Sequence, residues 1–185
     1  MLGQLTVTAV SPGEIESWCG SLATCYCHVF GRPPWNEADQ AAAIFLKRLN
    51  DKSALAGFRM VLALADQGRM VGFAYGALTT FGDGGQCYAD LTRLLGPGVT
   101  DAALVGAFEV VDLGVVPPAQ GHGVGGRLHD ELLTGTTAAR AWLMTRADAS
   151  AAKAFYQRRG WLELATVSLR GLAGARLIMT RRLGA

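Results

Sequence analysis

The stretch FEVVDLGVVPPAQGHGVGGRLHDELL, residues 108–133, decides the fold. It opens as a β-branched strand and is braked by Pro117 and Pro118. A loop with glycine at 121, 123, 125 and 126 follows, and the chain then turns helical. The helix signal is Val124, Leu128 and Leu132 at four-residue spacing, with Arg127, Asp130 and Glu131 left for solvent. Such a loop aims unpaired backbone N–H groups along the positive end of a helix dipole, which is a seat for a phosphate-bearing ligand.

Three phosphate-binding motifs compete for these glycines. A nucleotide P-loop needs Lys-Ser/Thr after its last glycine, whereas Gly126 is followed by Arg127 and Leu128. The dinucleotide fingerprint G-x-G-x-x-G is met by Gly121, Gly123 and Gly126, with Asp148 as a downstream acidic residue. That motif requires the strand to run straight into its first glycine, and here Pro117, Pro118, Ala119 and Gln120 intervene. It also starts too late for a doubly wound sheet to be completed downstream. The third motif, Gln/Arg-x-x-Gly-x-Gly/Ala, is met by Gln120, Gly123 and Gly125. A second block follows: a strand at residues 140–145, then a helix from Ser150 through Phe155 and Tyr156 to Gly160 and Trp161. Gly160 suits the left-handed position that stops a helix.

Together the two blocks resemble the acyl-CoA loop and the Ala…Phe-Tyr-x-x-x-Gly-Phe helix of the GNAT superfamily of N-acetyltransferases. The resemblance covers roughly residues 108–163; the N-terminal half is similar only in its order of strands and helices.

The chain has 185 residues and reads as one domain over 1–185, long enough to bury roughly 70% of its unfolded surface. Its apolar runs fall short of a membrane span, and the first residues lack the basic and apolar parts of a signal peptide. The formal charge is +2, with no basic cluster dense enough to hold nucleic acid. A soluble, cytoplasmic protein is expected. Cys19, Cys25, Cys27 and Cys87 form no C-x-x-C pair and are expected to be reduced thiols. Cys25, Cys27 and His28 cannot converge on a metal from one helix, so no metal site is expected.

Along the chain, residues 5–10 alternate as a strand. Ser11 caps a helix that runs to about Phe30. Residues 31–36 break it, and Asn36 is expected to cap a second helix through roughly Leu49. Residues 58–65 and 69–78 read as a hairpin across Asp66, Gln67 and Gly68. Residues 79–107 read as a long irregular connection, helical only in its last part, and residues 162–170 and 176–183 as a closing hairpin. This order matches the α/β GNAT fold. That fold implies a mixed, mostly antiparallel central sheet of about seven strands with about four helices, splayed at the acyl-CoA site.

The resemblance also implies a site. Leu113, Gly114 and Val115 would lie along the pantetheine arm, with the Val115 N–H as oxyanion donor. The loop of Gln120, Gly121, His122, Gly123, Val124, Gly125 and Gly126 would hold the pyrophosphate of acetyl-CoA, and Ser150 and Lys153 would add cofactor contacts. Gln120 stands where the family more often has Arg. Tyr156 would donate a proton to the departing sulfur. Glu109, six residues before Val115, falls on the same strand face by unbroken alternation and is the candidate base; Asp112 falls on the other. Trp35 and Tyr88 are candidate acceptor contacts, and Asp83, Asp90 and Asp101 against Arg93 lean toward a cationic amine.

The expected activity is acetyl transfer from acetyl-CoA to a primary amine of a small molecule, by direct attack in a ternary complex. No nucleic-acid or membrane partner is expected, and a homodimer is compatible with the sequence. A non-catalytic acyl-CoA-binding module and a protein N-terminal or lysine acetyltransferase are the alternatives.

Overall fold

The computed structural model describes residues 4–38, 40–80 and 85–184, apart from the side chains of residues 85 and 86. The chain divides into two compact units, Met1–Ala77 with Val111–Thr136 and Leu78–Val110 with Thr137–Ala185.

In the first unit, β1 (Thr6–Val10) leads through a 3-10 turn at Pro12–Glu14 into α1 (Ile15–Phe30). The Glu14 carboxylate accepts from the Ser11 amide at 2.9 Å and from the Ser11 hydroxyl, which ties the turn down. One face of α1 buries Leu22, Cys25, Tyr26 and Phe30, as its helical spacing requires. Next come α2 (Ala41–Ser53) and the hairpin of β2 (Arg59–Ala65) and β3 (Arg69–Leu78). Gln67 and Gly68 make that turn at φ 60° and 72°. Rings from α1, α2 and β3 form the core: Tyr26 stacks on Phe45 at 4.3 Å, and Phe45 meets Phe73 at 5.2 Å. Each such pair adds about 0.5–1.5 kcal/mol beyond the area it buries.

β4 (Phe108–Val115) passes from the second unit into the first and leads to α5 (Val124–Thr134). α5 buries Val124, Leu128 and Leu132, the predicted stripe. In the second unit, α3 (Gly85–Leu95) and α4 (Pro97–Ala103) precede β4. There follow β5 (Arg140–Arg146), α6 (Ser150–Gln157), β6 (Leu162–Val167) and β7 (Arg176–Arg182). Its core joins Leu91, Leu104, Trp142, Val167 and Ile178, and the Trp142 indole N–H donates to the Thr79 hydroxyl at 2.6 Å.

Strand order is β1-β2-β3-β4-β5-β7-β6. β4–β5 is parallel, and β1–β2, β2–β3, β5–β7 and β6–β7 are antiparallel. The expected mixed, mostly antiparallel sheet of seven strands is therefore what forms. β4 pairs with β5 from Phe108↔Ala141 to Val110↔Leu143. Among the described residues no helix is long and apolar enough to cross a membrane.

Two local expectations need correction. Asn36 does not cap the second helix, which starts at Ala41. Asn36 instead sits at φ 48°, a left-handed position that asparagine tolerates, while its amide and that of Glu37 bond back to Arg32 and Phe30 at the end of α1. Among the described residues the connection 79–107 is helical well before its expected short helix near its end, because it contains α3 and α4. Its glycines punctuate rather than melt: Gly96 at φ 83° precedes Pro97 at the first turn of α4, and Gly106 turns at φ 68° into β4.

Burial also sets the alkaline limit of this fold. It pushes the Cys25 thiol from 9.0 up to about 12. Burial first, then the Asp112 charge, raises the Tyr26 and Tyr75 phenols above their usual 10.0. An acid whose folded pKa is raised contributes stability that is complete below its unfolded pKa and is lost as pH climbs toward the folded one. Urea midpoints should hold to about pH 9 and fall steadily above it, a window set by these raised values. An equal midpoint at pH 8 and pH 11 would contradict this.

Candidate active site

The glycine loop lies wholly in the first unit. After a 3-10 turn at Pro117–Ala119, Gln120 is extended, Gly121 has φ 77° and Gly123 has φ 79°. A residue with Cβ is strained at those angles by about 1–2 kcal/mol. A Cβ at Gly121 or Gly123 would meet nothing within 4 Å, so the backbone here faces open space. α5 starts immediately, and its first helical bond runs from the Arg127 amide to the Gly123 carbonyl at 3.1 Å. By helix geometry the amides before Arg127 have no carbonyl within the helix. Gly121, His122 and Gly123 are exposed and Val124 and Gly126 buried, so the helix is anchored while its first turn opens outward.

The exit of β4 supplies one more donor. The Val116 amide bonds to the Val71 carbonyl on β3 at 2.9 Å. N–H groups of successive strand residues point to opposite edges, so the Val115 N–H points away from β3. A second observation agrees: a Cβ on Gly72 of β3 would lie 2.7 Å from the Gly114 carbonyl oxygen. That carbonyl shares a trans peptide with the Val115 N–H and points the opposite way. The Val115 carbonyl, on the same edge as its N–H, accepts from the Gln120 side-chain amide at 2.9 Å. Gln120 thus folds back to brace the strand end.

Beside this strand exit sits a polar network that the sequence did not reveal. Arg48 of α2 donates to Asp112 at 2.7 Å and to the Tyr75 hydroxyl at 3.2 Å, and that hydroxyl donates to the same Asp112 oxygen at 2.8 Å. Burial works against the Arg48 charge, yet Asp112 and Tyr75 more than offset it and raise its pKa. Nearby, the Tyr26 hydroxyl donates to Glu37. Burial also stops alternating along β4, where Val111, Asp112 and Leu113 are all half-buried. Trp35 follows α1 and meets the Phe30 ring edge-on at 5.4 Å.

The second unit holds the other expected residues. The Tyr88 hydroxyl donates to the Glu109 carboxylate, so a candidate acceptor contact and the candidate base lie side by side. The Tyr88 phenol is raised well above its usual pKa by burial, then by Glu109. Tyr156 is 8% exposed and held by edge-on contacts with Phe155 at 5.0 Å and Trp161 at 5.6 Å. Gly160, at φ 78°, ends the segment as expected and lets the Trp161 amide reach the Tyr156 carbonyl at 3.2 Å. Ser150 is exposed at the start of α6, and Lys153 pairs with Glu163 at 2.7 Å. The acidic lean of the connection weakens. Asp90 is 5% exposed and pairs with Arg93, Asp101 is exposed, and Asp83 lies outside the described residues. Among the described residues no group of His, Cys, Asp or Glu is placed to hold a metal.

The Acetyltransferase (GNAT) family matches residues 16–161, a span that runs through both units, and the chain belongs to that family. It is accordingly an acyltransferase of a family whose acyl donor is acetyl-CoA. Among curated proteins none matches the sequence. The chain is similar to PH1933 of Pyrococcus horikoshii OT3, with 15% identity, TM-score 0.69 and coverage of 98% of this chain and 100% of that one. It is also similar to the ribosomal-protein-S18-alanine N-acetyltransferase of Escherichia coli, with 14% identity, TM-score 0.64 and coverage of 98% and 96%. A third likeness is to a chain of the NatC complex bound to Gag peptide and CoA, with 13% identity, TM-score 0.64 and coverage of 98% and 99%. At these identities the likeness establishes the fold.

Asp112→Asn should lower unfolding free energy by about 1–3 kcal/mol, because Arg48 and the Tyr75 hydroxyl lose the charge they share. Adding Arg48→Met should restore part of that loss, since no charge is then left without its partner. Urea titration of wild type, each single variant and the double variant reads this. Strictly additive losses would mean that the network does not act as a unit.

Proposed function

We propose that this chain transfers an acetyl group from acetyl-CoA to the primary amine of a small-molecule acceptor, by direct attack in a ternary complex within a reducing, cytoplasmic setting. The observation that carries the reading is the pairing, in one unit, of an outward-facing Val115 N–H with an open glycine loop at a helix N-terminus. The residues present fit the donor: Gly121 and Gly123 leave the backbone uncovered, and the first amides of α5 aim a positive dipole at the place a pyrophosphate would take.

Acetyl-CoA would bring the reactive thioester. Leu113 and Gly114 would offer a strand edge to the pantetheine arm, residues 121–126 would hold the pyrophosphate, and Ser150 and Lys153 would add contacts from α6. Val115 donates its N–H to the carbonyl oxygen as charge develops there. Glu109 takes the proton that the amine loses on forming its bond to carbon, directly or through one water, with Tyr88 steadying the carboxylate. Tyr156 gives its hydroxyl proton to sulfur as the carbon–sulfur bond breaks. Trp35 would meet the acceptor from the turn after α1.

Acetyl-CoA should raise the melting temperature while NAD and ATP leave it unchanged, because only a ligand bound by the folded state stabilises it. Gly123→Val should melt lower, from strain at its positive φ, and show no acetyl-CoA shift. A panel of amines and N-terminal peptides, read by CoA release and product mass, tests the acceptor. Turnover of peptides alone would replace the small-molecule reading, and an NAD shift without an acetyl-CoA shift would remove the proposal.

The two catalytic assignments separate kinetically. Tyr156→Phe should leave acetyl-CoA affinity near wild type and lower kcat. Glu109→Gln should lower kcat/KM at least tenfold at pH 7, with partial recovery at high pH, where free amine is available unaided. If KM rises while kcat holds and alkaline pH gives no rescue, Glu109 binds the acceptor's cation and another group is the base.

A further inference from the structure

The first unit contains a cavity of about 580 Å³ whose lining includes none of the residues assigned above to acetyl transfer. Ser21, Thr24 and His28 line it from one face of α1, Arg32 from just past that helix, and Arg69 from the start of β3, with Pro117 and Pro118 closing it. Its charged lining is entirely basic, because no Asp or Glu contributes to the wall. Two carboxylates close to these arginines in sequence are engaged elsewhere. Asp66 accepts the Gln4 amide at 2.9 Å, and Glu37 accepts the Tyr26 hydroxyl.

Among the described residues the side chains of Arg32, Arg69 and His28 have no hydrogen-bond or ion-pair partner. Other arginines of this unit do. Arg48 holds Asp112, Arg59 holds the Leu132 carbonyl at 2.9 Å together with two more at the end of α5, and Arg127 holds the Leu5 carbonyl at 3.0 Å. Two guanidiniums left unpaired on one concave wall repel each other unless an anion lies between them. Arginine offers a planar fork that matches phosphate oxygens, and the volume falls within the usual ~300–1,000 Å³ of small-molecule sites.

We propose that this cavity binds a phosphate monoester, held by Arg32 and Arg69 with the His28 ring and Ser21 hydroxyl beside them. The site is separate from the glycine loop. Its phosphate has two possible sources, the 3′-phosphate of coenzyme A or a free sugar-sized phosphate ester, and the inference stands whether or not the chain acetylates amines.

Calorimetric titration with CoA, dephospho-CoA and ribose 5-phosphate tests it on wild type, Arg32→Gln/Arg69→Gln and Gly123→Val. Both arginines are exposed, so the double variant should keep its circular dichroism, and Arg69→Gln alone serves if it does not. A coenzyme source predicts that CoA binds wild type at least tenfold tighter than dephospho-CoA and that the double variant abolishes the difference. A free ester predicts that ribose 5-phosphate binds wild type and Gly123→Val alike and the double variant at least tenfold more weakly. The proposal is overturned if CoA and dephospho-CoA bind wild type equally while ribose 5-phosphate does not bind. It is equally overturned if the double variant matches wild type for every ligand, or if only Gly123→Val loses ribose 5-phosphate.

Discussion

An ordinary side chain at residue 72 would place its Cβ 2.7 Å from the carbonyl oxygen of Gly114, a distance that real Cβ atoms essentially never reach. Gly114 is equally confined, since its own Cβ would press Val29 at 3.2 Å and Phe30 and Phe73 at 3.4 Å. The two glycines let β3, β4 and the C-terminal half of α1 meet at van der Waals contact. That contact fixes the peptide between residues 114 and 115 with its carbonyl toward β3 and its N–H outward. The Val116 amide and the Gln120 side chain pin the next peptide, and from there the chain has only the 3-10 turn and two left-handed glycines before α5 begins. The donor on the strand and the donors of the helix are thus placed by one short, over-determined segment.

Most of this was legible in the sequence because it is local. The β-branched run, the proline brake, the glycine spacing and the four-residue stripe of α5 each follow from backbone sterics or helix period, and all formed as read. The β2–β3 hairpin and the Gly160 stop were legible for the same reason. Legibility failed where a residue's role depends on what it meets. Asn36 carries a capping side chain, but the return of the chain over Phe30 drew it into a left-handed turn. The glycines of 79–107 suggested an irregular connection, while Gly96, between α3 and α4, caps the second of these helices. Gly72 and Gly114, both inside strands, were the available signals of close backbone approach at the site. Nothing local announced that Arg48, Tyr75 and Asp112 would meet across separations of 27, 37 and 64 residues.

The arginines of the first unit show how tertiary structure sorts identical side chains into different tasks. Arg48 is drawn inside by a carboxylate and a phenol, and Arg59 spends its fork on the last carbonyls of α5, where cations favour the helix dipole. Both act as structural ties. Arg32 and Arg69 sit on a concave surface, and among the described residues their side chains have no hydrogen-bond or ion-pair partner. Charge with a protein partner stabilises the fold, and charge kept without one is a field available to a ligand.

The two carboxylates of β4 pose the same question in acidic form, and their surroundings answer it differently. Asp112 shares one oxygen with a guanidinium and a phenol, with its side chain only 14% exposed. Removing that carboxylate charge would strand the Arg48 guanidinium in a half-buried setting. Glu109 instead receives the Tyr88 hydroxyl, a neutral donor on a ring held edge-on by Trp142 at 6.0 Å. Of the two, Asp112 is a strut that ties β4 to Arg48 on α2 and Tyr75 on β3, while Glu109 is joined to the Tyr88 hydroxyl of α3.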